Sequence, residues 1–379
     1  MFNDTFEITV TTASGIEKVL KSEIKRLGYG EPPADNGAVT FKGDALAVAR
    51  CNLNLRTADR VYINLKTFTA VTFDELFDGV YSIPFEKIMV KDAKIIVNGN
   101  CVKSKLFAIS ACQSIVKKAV VKRLTDKLKL NTLPEDGELY DLHFYIFKDQ
   151  VSIRLNTSGV GLHKRGYRDM VGIAPIKETL ASALLLMSDF YYKRPFTDPF
   201  CGSGTIVIEG ARIALNIAPG INRTFAYNNW ENFDSKYYKL ALEEAKDNEK
   251  RDRVLDFRGF DRDGKAIALA KHHAERAGVL DKVFLRTVPV KGLNLDQPFG
   301  TIVTNPPYGE RVYDRKQAEE CYKTLAERMS GKDGWSLFTI TSAKNFQNVF
   351  GRKADRVRKL YNSEKECNYY FYYGKKELE

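Results

Sequence analysis

The sequence predicts an α/β protein whose C-terminal half is built on a mostly parallel sheet, with two smaller α/β units ahead of it. Three observations carry that expectation. From residue 196 onward, short apolar segments of strand length alternate with segments of helical period, the pattern of a parallel sheet covered on both faces. A turn with two glycines, Cys201-Gly202-Ser203-Gly204, joins the first of those strands to an apolar helix. The first 156 residues read as two shorter runs of strands and helices, 1–70 and 71–156. A chain of 379 residues exceeds the common size of one domain, and its 23 Phe and 19 Tyr are enough for sizeable cores.

In the first unit, 1–70, Phe6-Glu7-Ile8-Thr9-Val10 alternates as a strand does, and residues 15–27 have helical period. A turn-rich stretch over 28–36 leads to a short strand at 38–41, a helix over 44–51 and a strand over 60–68. The second unit, 71–156, reads as helix, strand, basic helix, strand. Residues 94–98 make one strand, and 140–147 with 150–156 form a hairpin about Lys148-Asp149. Residues 157–173 are a joint rich in glycine and basic side chains. The third unit, 174–379, opens with a helix over 174–190 carrying Leu184-Leu185-Leu186-Met187. Strands follow near 196–197, 254–259, 283–285, 301–304, 336–340 and 368–373, with helices over 204–216, 263–277 and 315–329 between them. Residues 236–253 form a polar, charged helix that reads as a solvated face.

Composition excludes several classes. No window approaches the roughly 20 apolar residues needed to cross a bilayer, so no membrane association is expected. The start, Met1-Phe2-Asn3-Asp4, lacks the basic and then apolar run of a secretory signal. Six scattered cysteines and four histidines offer neither a disulfide framework nor a metal-ligand set, so a reduced, cytoplasmic setting and no metal are expected. The net charge of +11 favours a polyanionic partner. Residues 91–130 hold ten Lys or Arg against two Asp. As a helix, that stretch turns Ile115, Ala119, Val120 and Leu124 to a core and fans Lys117, Lys118, Lys122 and Arg123 over the other side. Two readings stay open, a surface that follows a phosphate backbone and an ordinary solvated face.

Chemistry concentrates in the third unit. Asp198-Pro199-Phe200-Cys201-Gly202-Ser203-Gly204-Thr205 lies between a strand and a helix, where glycines let backbone approach a ligand at the carboxyl end of a sheet. Asp198 suits the cationic end of a cofactor, or organises the loop. Asp261, ending the second strand, can accept both hydroxyls of a ribose, and Phe260 can lie on a nucleobase plane. Asp263 is read as a helix cap or a surface acid. After the fourth strand comes Asn305-Pro306-Pro307-Tyr308. The Asn305 side-chain oxygen and the Pro306 carbonyl can each accept one N–H of an exocyclic amine, while Tyr308 offers a flat platform for the ring. Catalysis by such a set is mainly orientation. A dehydrogenase is disfavoured because no GxGxxG follows the strand. The second unit has no compact set of nucleophile, base and oxyanion donors, which suggests a role in substrate delivery.

Taken together, these residues resemble class I RNA methyltransferases with a THUMP domain, nearest the bacterial large-subunit ribosomal RNA guanine-N2 methyltransferases, over essentially the full chain. The matching pieces are Leu155-Asn156-Thr157-Ser158-Gly159, Lys164-Arg165-Gly166-Tyr167-Arg168, Ala174-Pro175-Ile176-Lys177-Glu178, Asp198 through Thr205, Ile208-Glu209, Ala218-Pro219-Gly220 and Asn305-Pro306-Pro307-Tyr308-Gly309-Glu310-Arg311. The resemblance implies a ferredoxin-like unit at 1–70, a THUMP domain at 71–156, a linker at 157–173 and a Rossmann-like class I methyltransferase domain at 174–379. It implies S-adenosylmethionine as cofactor, held by Asp198, Phe200, Cys201, Gly202, Ser203, Gly204, Thr205, Phe260, Asp261 and Asn305, with Asn305, Pro306 and Tyr308 receiving the target base.

Structured RNA is the partner so implied, foremost 23S ribosomal RNA or a ribosomal assembly intermediate, and no obligate protein partner is evident. Lys164, Arg165 and Arg168 are candidate phosphate contacts or solvated linker charges. Tyr167 either stacks on a base or packs in the hinge. Glu310 either orients a guanine edge or pairs with Arg311. One departure is that Leu285-Arg286-Thr287-Val288-Pro289-Val290 lacks the acid that related enzymes carry after the third strand. The expected activity is methylation of guanine N2 in 23S ribosomal RNA. The alternatives are the same reaction on transfer RNA, adenine-N6 methylation, and a non-catalytic RNA-binding assembly factor.

Overall fold

The computed structural model describes every residue except 1, 3, 36, 171–175, 310–313 and 376–379. The chain divides into two compact units. The first comprises Met1–Thr11, Lys21–Leu162 and Arg223–Glu244; the second comprises Thr12–Leu20, His163–Asn222 and Ala245–Glu379.

In chain order the elements up to residue 156 are β1 (Phe6–Thr11), α1 (Glu17–Arg26), β2 (Ala34–Asp35), β3 (Ala38–Gly43), α2 (Ala45–Asn54), β4 (Arg60–Thr69), α3 (Phe73–Tyr81), β5 (Lys94–Val102), α4 (Ile109–Leu128), β6 (Leu139–Phe147) and β7 (Gln150–Asn156). The strands form one seven-stranded sheet, β2-β3-β1-β4-β7-β6-β5, so 1–70 and 71–156 share a continuous ladder through β4 and β7. All pairs are antiparallel except β5 with β6, and α4 supplies the long crossover that a parallel pair requires. The hairpin turn lies at Lys148-Asp149, where both residues have positive φ, 48° and 65°, as a two-residue turn matched to strand twist demands. On α4 the buried face is Cys112, Val116, Ala119, Val120 and Leu124; Ile115, expected inside, is only half-buried and Val116 takes its place.

The second unit contains α5 (Glu178–Met187), β8 (Phe196–Asp198), α6 (Thr205–Ala214), β9 (Phe257–Asp261), α8 (Gly264–Arg276), β10 (Phe284–Thr287), β11 (Phe299–Thr304), α9 (Arg315–Met329), β12 (Gly334–Thr341), α10 (Phe346–Phe350), β13 (Arg356–Asn362) and β14 (Lys365–Tyr372), with α7 (Lys236–Asp247) lying between α6 and β9 in the chain. The sheet order is β10-β9-β8-β11-β12-β14-β13. It is parallel from β10 through β12, and β14 and β13 run antiparallel at one edge. Neighbouring residues fall into different cores: Val303, Phe338 and Tyr369 in one cluster, Ile302, Leu337 and Tyr370 in the other. That period of two, apolar on both sides, is what a doubly covered sheet requires. The helix expected over 174–190 is described as α5; Ala174 and Pro175 lie outside the described residues. Strand β13 was not expected, because in Arg-Val-Arg-Lys-Leu-Tyr-Asn only Leu360 is buried.

Candidate functional site

Strand order reverses at β8, with β9 and β10 on one side and β11 and β12 on the other. The crevice of an open α/β sheet therefore opens at the carboxyl ends of β8 and β11. Asp198 ends β8 and is 1% exposed. Its Oδ1 accepts bonds from Thr304 Oγ1 at 2.6 Å and Phe200 N at 3.1 Å. Burial, together with the nearby Asp261 charge, raises its carboxyl to about 7.

The loop after Asp198 is fixed by its own backbone. Cys201 N donates to Phe260 O at 2.9 Å, and Gly204 N donates to Cys201 O at 2.8 Å. Gly204 has a φ of 82° and precedes α6 without a side-chain cap, leaving the first-turn N–H groups of α6 no side-chain acceptor there. A Cβ on Gly204 would lie 3.0 Å from Ala270 Cβ, so this position combines a left-handed backbone with close helix packing. The Ser203 carbonyl lies 3.2 Å from His273 Nδ1 on the buried face of α8, and burial lowers that imidazole towards its neutral form. Thr205 is buried in the first turn of α6, and burial pushes the Cys201 thiol well up, which makes it a packing group.

Asp261 ends β9. Its Oδ2 accepts from Gly202 N at 3.0 Å and its Oδ1 from Asp263 N at 2.9 Å. Each oxygen keeps a second lone pair, enough for two hydroxyls. Nothing lies within 4 Å of the place a Cβ on Gly202 would occupy, so the loop backbone stands open beside that carboxylate. An acid able to take a diol, an open glycine backbone and a second acid at the sheet edge fit a nucleoside with a cationic tail. Phe200 and Phe260 are partly buried against the core, with Phe260 edge-on to Phe284 at 6.4 Å. Asp263 caps α8 by accepting from Lys265 N at 2.8 Å.

Thr304 links this loop to the amine motif, because Asn305 is the next residue. Asn305 Oδ1 accepts a bond from Tyr308 Oη at 2.6 Å. The Tyr308 hydroxyl also lies 3.4 Å from Asn362 Nδ2 and 3.7 Å from Cys367 Sγ, both from the β13–β14 hairpin. Burial pushes this phenol well above its ordinary range. The expected platform is thus a partly buried ring whose hydroxyl fixes the Asn305 amide, leaving one Oδ1 lone pair for an incoming N–H. Tyr322 on α9 donates to Pro307 O at 2.6 Å and anchors the loop. Among the described residues no hydrogen bond reaches the Pro306 carbonyl. Glu310 and Arg311 lie outside the described residues.

The expected RNA contacts divide. Arg165 is 2% exposed and Tyr167 is fully buried, its hydroxyl donating to Glu209 Oε1 at 3.0 Å. Arg168 pairs with Glu178 at 3.0 Å. Arg165 and Tyr167 are therefore core residues and do not meet RNA, because the acid on α6 drew them inward. Arg123 is held by Glu86 through two bonds of 2.8 and 2.6 Å and braces the α3 end. Lys117 and Lys122 are paired with Glu135 and Asp126 at the surface, while Lys118 and Lys164 are exposed.

Thr304, Tyr322 and Asn362 were given no site role in the sequence, and Glu209 entered only through the Ile208-Glu209 match. Only Thr304, beside Asn305, had a local signal; the others meet the site from distant segments.

Three family models tile the chain: a THUMP domain over 70–156, an RlmL ferredoxin-like domain over 7–62 and an RMKL-like methyltransferase domain over 165–370. The chain belongs to the RMKL-like methyltransferase family. Its fold is the class I, S-adenosylmethionine-binding type, following ferredoxin-like and THUMP domains, and it is a nucleic-acid methyltransferase. It is 43% identical to YpsC of Bacillus subtilis (strain 168), by name a candidate RNA methyltransferase, over 98% of this chain and 96% of that one. A structure from Listeria monocytogenes str. 4b F2365, named as a predicted N6-adenine-specific DNA methylase, is 42% identical with a TM-score of 0.94, covering 98% of this chain and 97% of that one. SMU.472, a candidate methyltransferase crystallised with S-adenosylhomocysteine, is 39% identical with a TM-score of 0.93 over 99% of both chains. No helix among the described residues is long and apolar enough to cross a membrane.

Proposed function

We propose that this protein, acting in the cytoplasm, transfers a methyl group from S-adenosylmethionine to the exocyclic N2 amine of a guanine in 23S ribosomal RNA. The domains are a ferredoxin-like unit at 1–70, THUMP at 71–156, a linker at 157–173 and the methyltransferase at 174–379. The observation that carries the reading is the 2.6 Å bond from Thr304 to Asp198, which sets the amine acceptor Asn305 one residue from the cofactor loop. The cofactor, when bound, supplies an electrophilic sulfonium methyl group. Asn305 Oδ1 and the Pro306 carbonyl each accept one amine N–H and turn the nitrogen out of conjugation with its ring. Tyr308 holds the Asn305 amide in place, and no strong base is needed before the amine attacks. Asp261 accepts the ribose hydroxyls, while the loop from Asp198 to Thr205 holds the methionine end. The exposed Lys118 of α4 and Lys164 add phosphate contacts, while Lys117 and Lys122 reach phosphate only in exchange for Glu135 and Asp126.

The THUMP domain supports RNA over DNA as substrate. The likeness to a protein named as an adenine-specific DNA methylase favours adenine N6 as the second reading, since the same acceptors suit either amine. Labelled S-adenosylmethionine is incubated with unmodified 23S ribosomal RNA, transfer RNA and DNA, followed by nucleoside analysis. N2-methylguanosine confined to 23S RNA is expected; N6-methyladenosine, or label in DNA alone, replaces this reading with the second.

Two results follow for the cofactor end. Asp261→Ala removes the ribose acceptor and the Gly202 tether, and should weaken cofactor binding about tenfold or more by calorimetry, as expected for a bond to a charged group. Unchanged affinity removes Asp261 from the site. The Asp198 carboxyl, raised to about 7, is ionised only above that pH, and the ionised form attracts a cationic ligand. Affinity should therefore fall roughly tenfold as pH drops from 8 to 6, and Asp198→Asn should flatten that dependence. An equal slope in the variant assigns the pH effect elsewhere.

A further inference from the structure

We propose that the loop joining β5 to α4, together with the β6–β7 turn, is where this protein holds an unpaired nucleotide of its RNA, the base stacking on Phe107. The inference rests on RNA being the substrate class and adds the place and manner of its capture.

Phe107 is 79% exposed, the most exposed aromatic ring among the described residues. A phenyl ring left in water forgoes about 2 kcal/mol of burial, so nothing in the fold itself favours this placement. Its neighbour Leu106 is buried and pins the loop from below. Val102 and Ile109, which flank the loop in the chain, are 39% and 41% exposed.

The loop is ordered before any ligand arrives. Lys105 N donates to Asp149 Oδ1 at 2.7 Å, and Asp149 N donates to Ser104 Oγ at 3.1 Å. Ser104 Oγ donates to Val102 O at 2.9 Å, and Lys148 N donates to the same carbonyl at 3.2 Å. These bonds join the loop to the hairpin turn and gather Lys103, Lys105 and Lys148 at one end of the sheet. All three are exposed, and none lies within ion-pair distance of a carboxylate among the described residues. The contrast with α4 is direct, since Lys117, Lys122 and Arg123 there already face Glu135, Asp126 and Glu86. Asp149, the one acid in the turn, spends Oδ1 on the loop backbone. The adjoining first turn of α4 has no side-chain cap, which adds N–H donors beside the lysines.

An exposed phenyl ring on a loop that gathers three lysines without an ion pair among the described residues, Lys148 resting on the Phe147 ring at 5.4 Å, matches a single-stranded nucleotide, with a flat base for the ring and phosphates for the lysines. A duplex does not present that face, because its bases are stacked and its deep groove excludes side chains. Phenyl carries no donor or acceptor, so the site holds any base and contributes capture without sequence readout.

The test uses the full-length protein and two labelled probes of mixed sequence, a single-stranded RNA of about twelve nucleotides and an RNA duplex of the same length, read by anisotropy. Phe107→Ala should weaken single-strand binding roughly tenfold and leave duplex binding unchanged, while Phe107→Trp should restore the affinity. The triple variant Lys103→Gln, Lys105→Gln, Lys148→Gln should lower the slope of log affinity against log salt by about 2, and Phe107→Ala should leave that slope intact. Full single-strand affinity in Phe107→Ala overturns the proposal. So does a change in sedimentation of that variant without a change in RNA affinity, which would assign the ring to a protein partner or a second copy. Wild-type protein that methylates 23S RNA while Phe107→Ala binds single strands normally sinks this surface alone. Wild-type protein that binds neither probe sinks the RNA reading with it.

Discussion

Asn305→Ala should lower single-turnover methyl transfer by about a hundredfold or more, with RNA and cofactor affinities changed far less. The magnitude is that of removing one preorganised acceptor from a transition state. Asn305 follows β11 directly, its Oδ1 is fixed at 2.6 Å by the Tyr308 hydroxyl, and Pro307 is fixed by Tyr322. The backbone of the loop therefore survives loss of the amide, and the cofactor loop keeps its own bonds through Asp198, Cys201 and Asp261. Tyr308→Phe separates two roles for the ring. If the phenol acts by holding Asn305, its loss should cost turnover about tenfold and leave RNA affinity unchanged, as for one net hydrogen bond to an oriented group. If the ring is the stacking platform itself, Phe should behave as Tyr. Asn305→Asp retains acceptors and adds charge, so partial activity supports an amine-orienting role. A folded Asn305→Ala protein with normal turnover at saturating RNA and cofactor removes Asn305 from the reaction.

Much of this site was legible because its parts are local. Asp198 ends β8, the two glycines lie in the loop after it and Asn305 follows β11, and a parallel sheet brings all strand ends of one sense to one edge. Asp263 declared itself as a cap by preceding a helical period. The hairpin at Lys148-Asp149 was equally local. What stayed hidden depends on partners distant in the chain. Tyr167, standing among Lys164, Arg165 and Arg168, left stacking and packing both open, and what makes it a packing residue is the bond of its hydroxyl to Glu209, 42 positions away. Tyr308 read as a platform because nothing nearby announces Asn362 and Cys367, which reach it from a hairpin whose first strand buries only Leu360. For α4 the charge count left a phosphate surface and an ordinary solvated face both open. Three of its cations meet carboxylates that lie elsewhere in the same unit or one turn along the helix. Charge counts cannot separate neutralised lysines from uncommitted ones.

Glu209→Ala should destabilise the methyltransferase unit by about 3–5 kcal/mol, the usual cost of removing one member of a buried ionic network. Glu209 lies on α6 with no exposed surface, accepting from Tyr167 Oη at 3.0 Å and Ser182 Oγ at 2.7 Å, with Arg165 Nη2 at 3.8 Å. Arg212, one turn later, is equally buried, donates to Ala218 O at 2.9 Å, and stands 5.5 Å over the Tyr167 ring. Alanine strips the acceptor from two buried hydroxyls and the nearest negative charge from two buried guanidinium groups. Glu209→Gln keeps an acceptor but not the charge and should fall between. Ser182→Ala, losing one bond, should cost about 1 kcal/mol. In scanning calorimetry the unit concerned is the one whose transition rises when S-adenosylhomocysteine is added. That transition should drop by roughly 10 °C in Glu209→Ala, given 2–4 °C per kcal/mol for a unit of this size. Since α6 begins at the cofactor loop, the folded fraction at low temperature should still bind cofactor within a few fold. A transition within about 1 °C of wild type would mean that Arg165, Tyr167 and Arg212 are held by packing alone and the acid is dispensable.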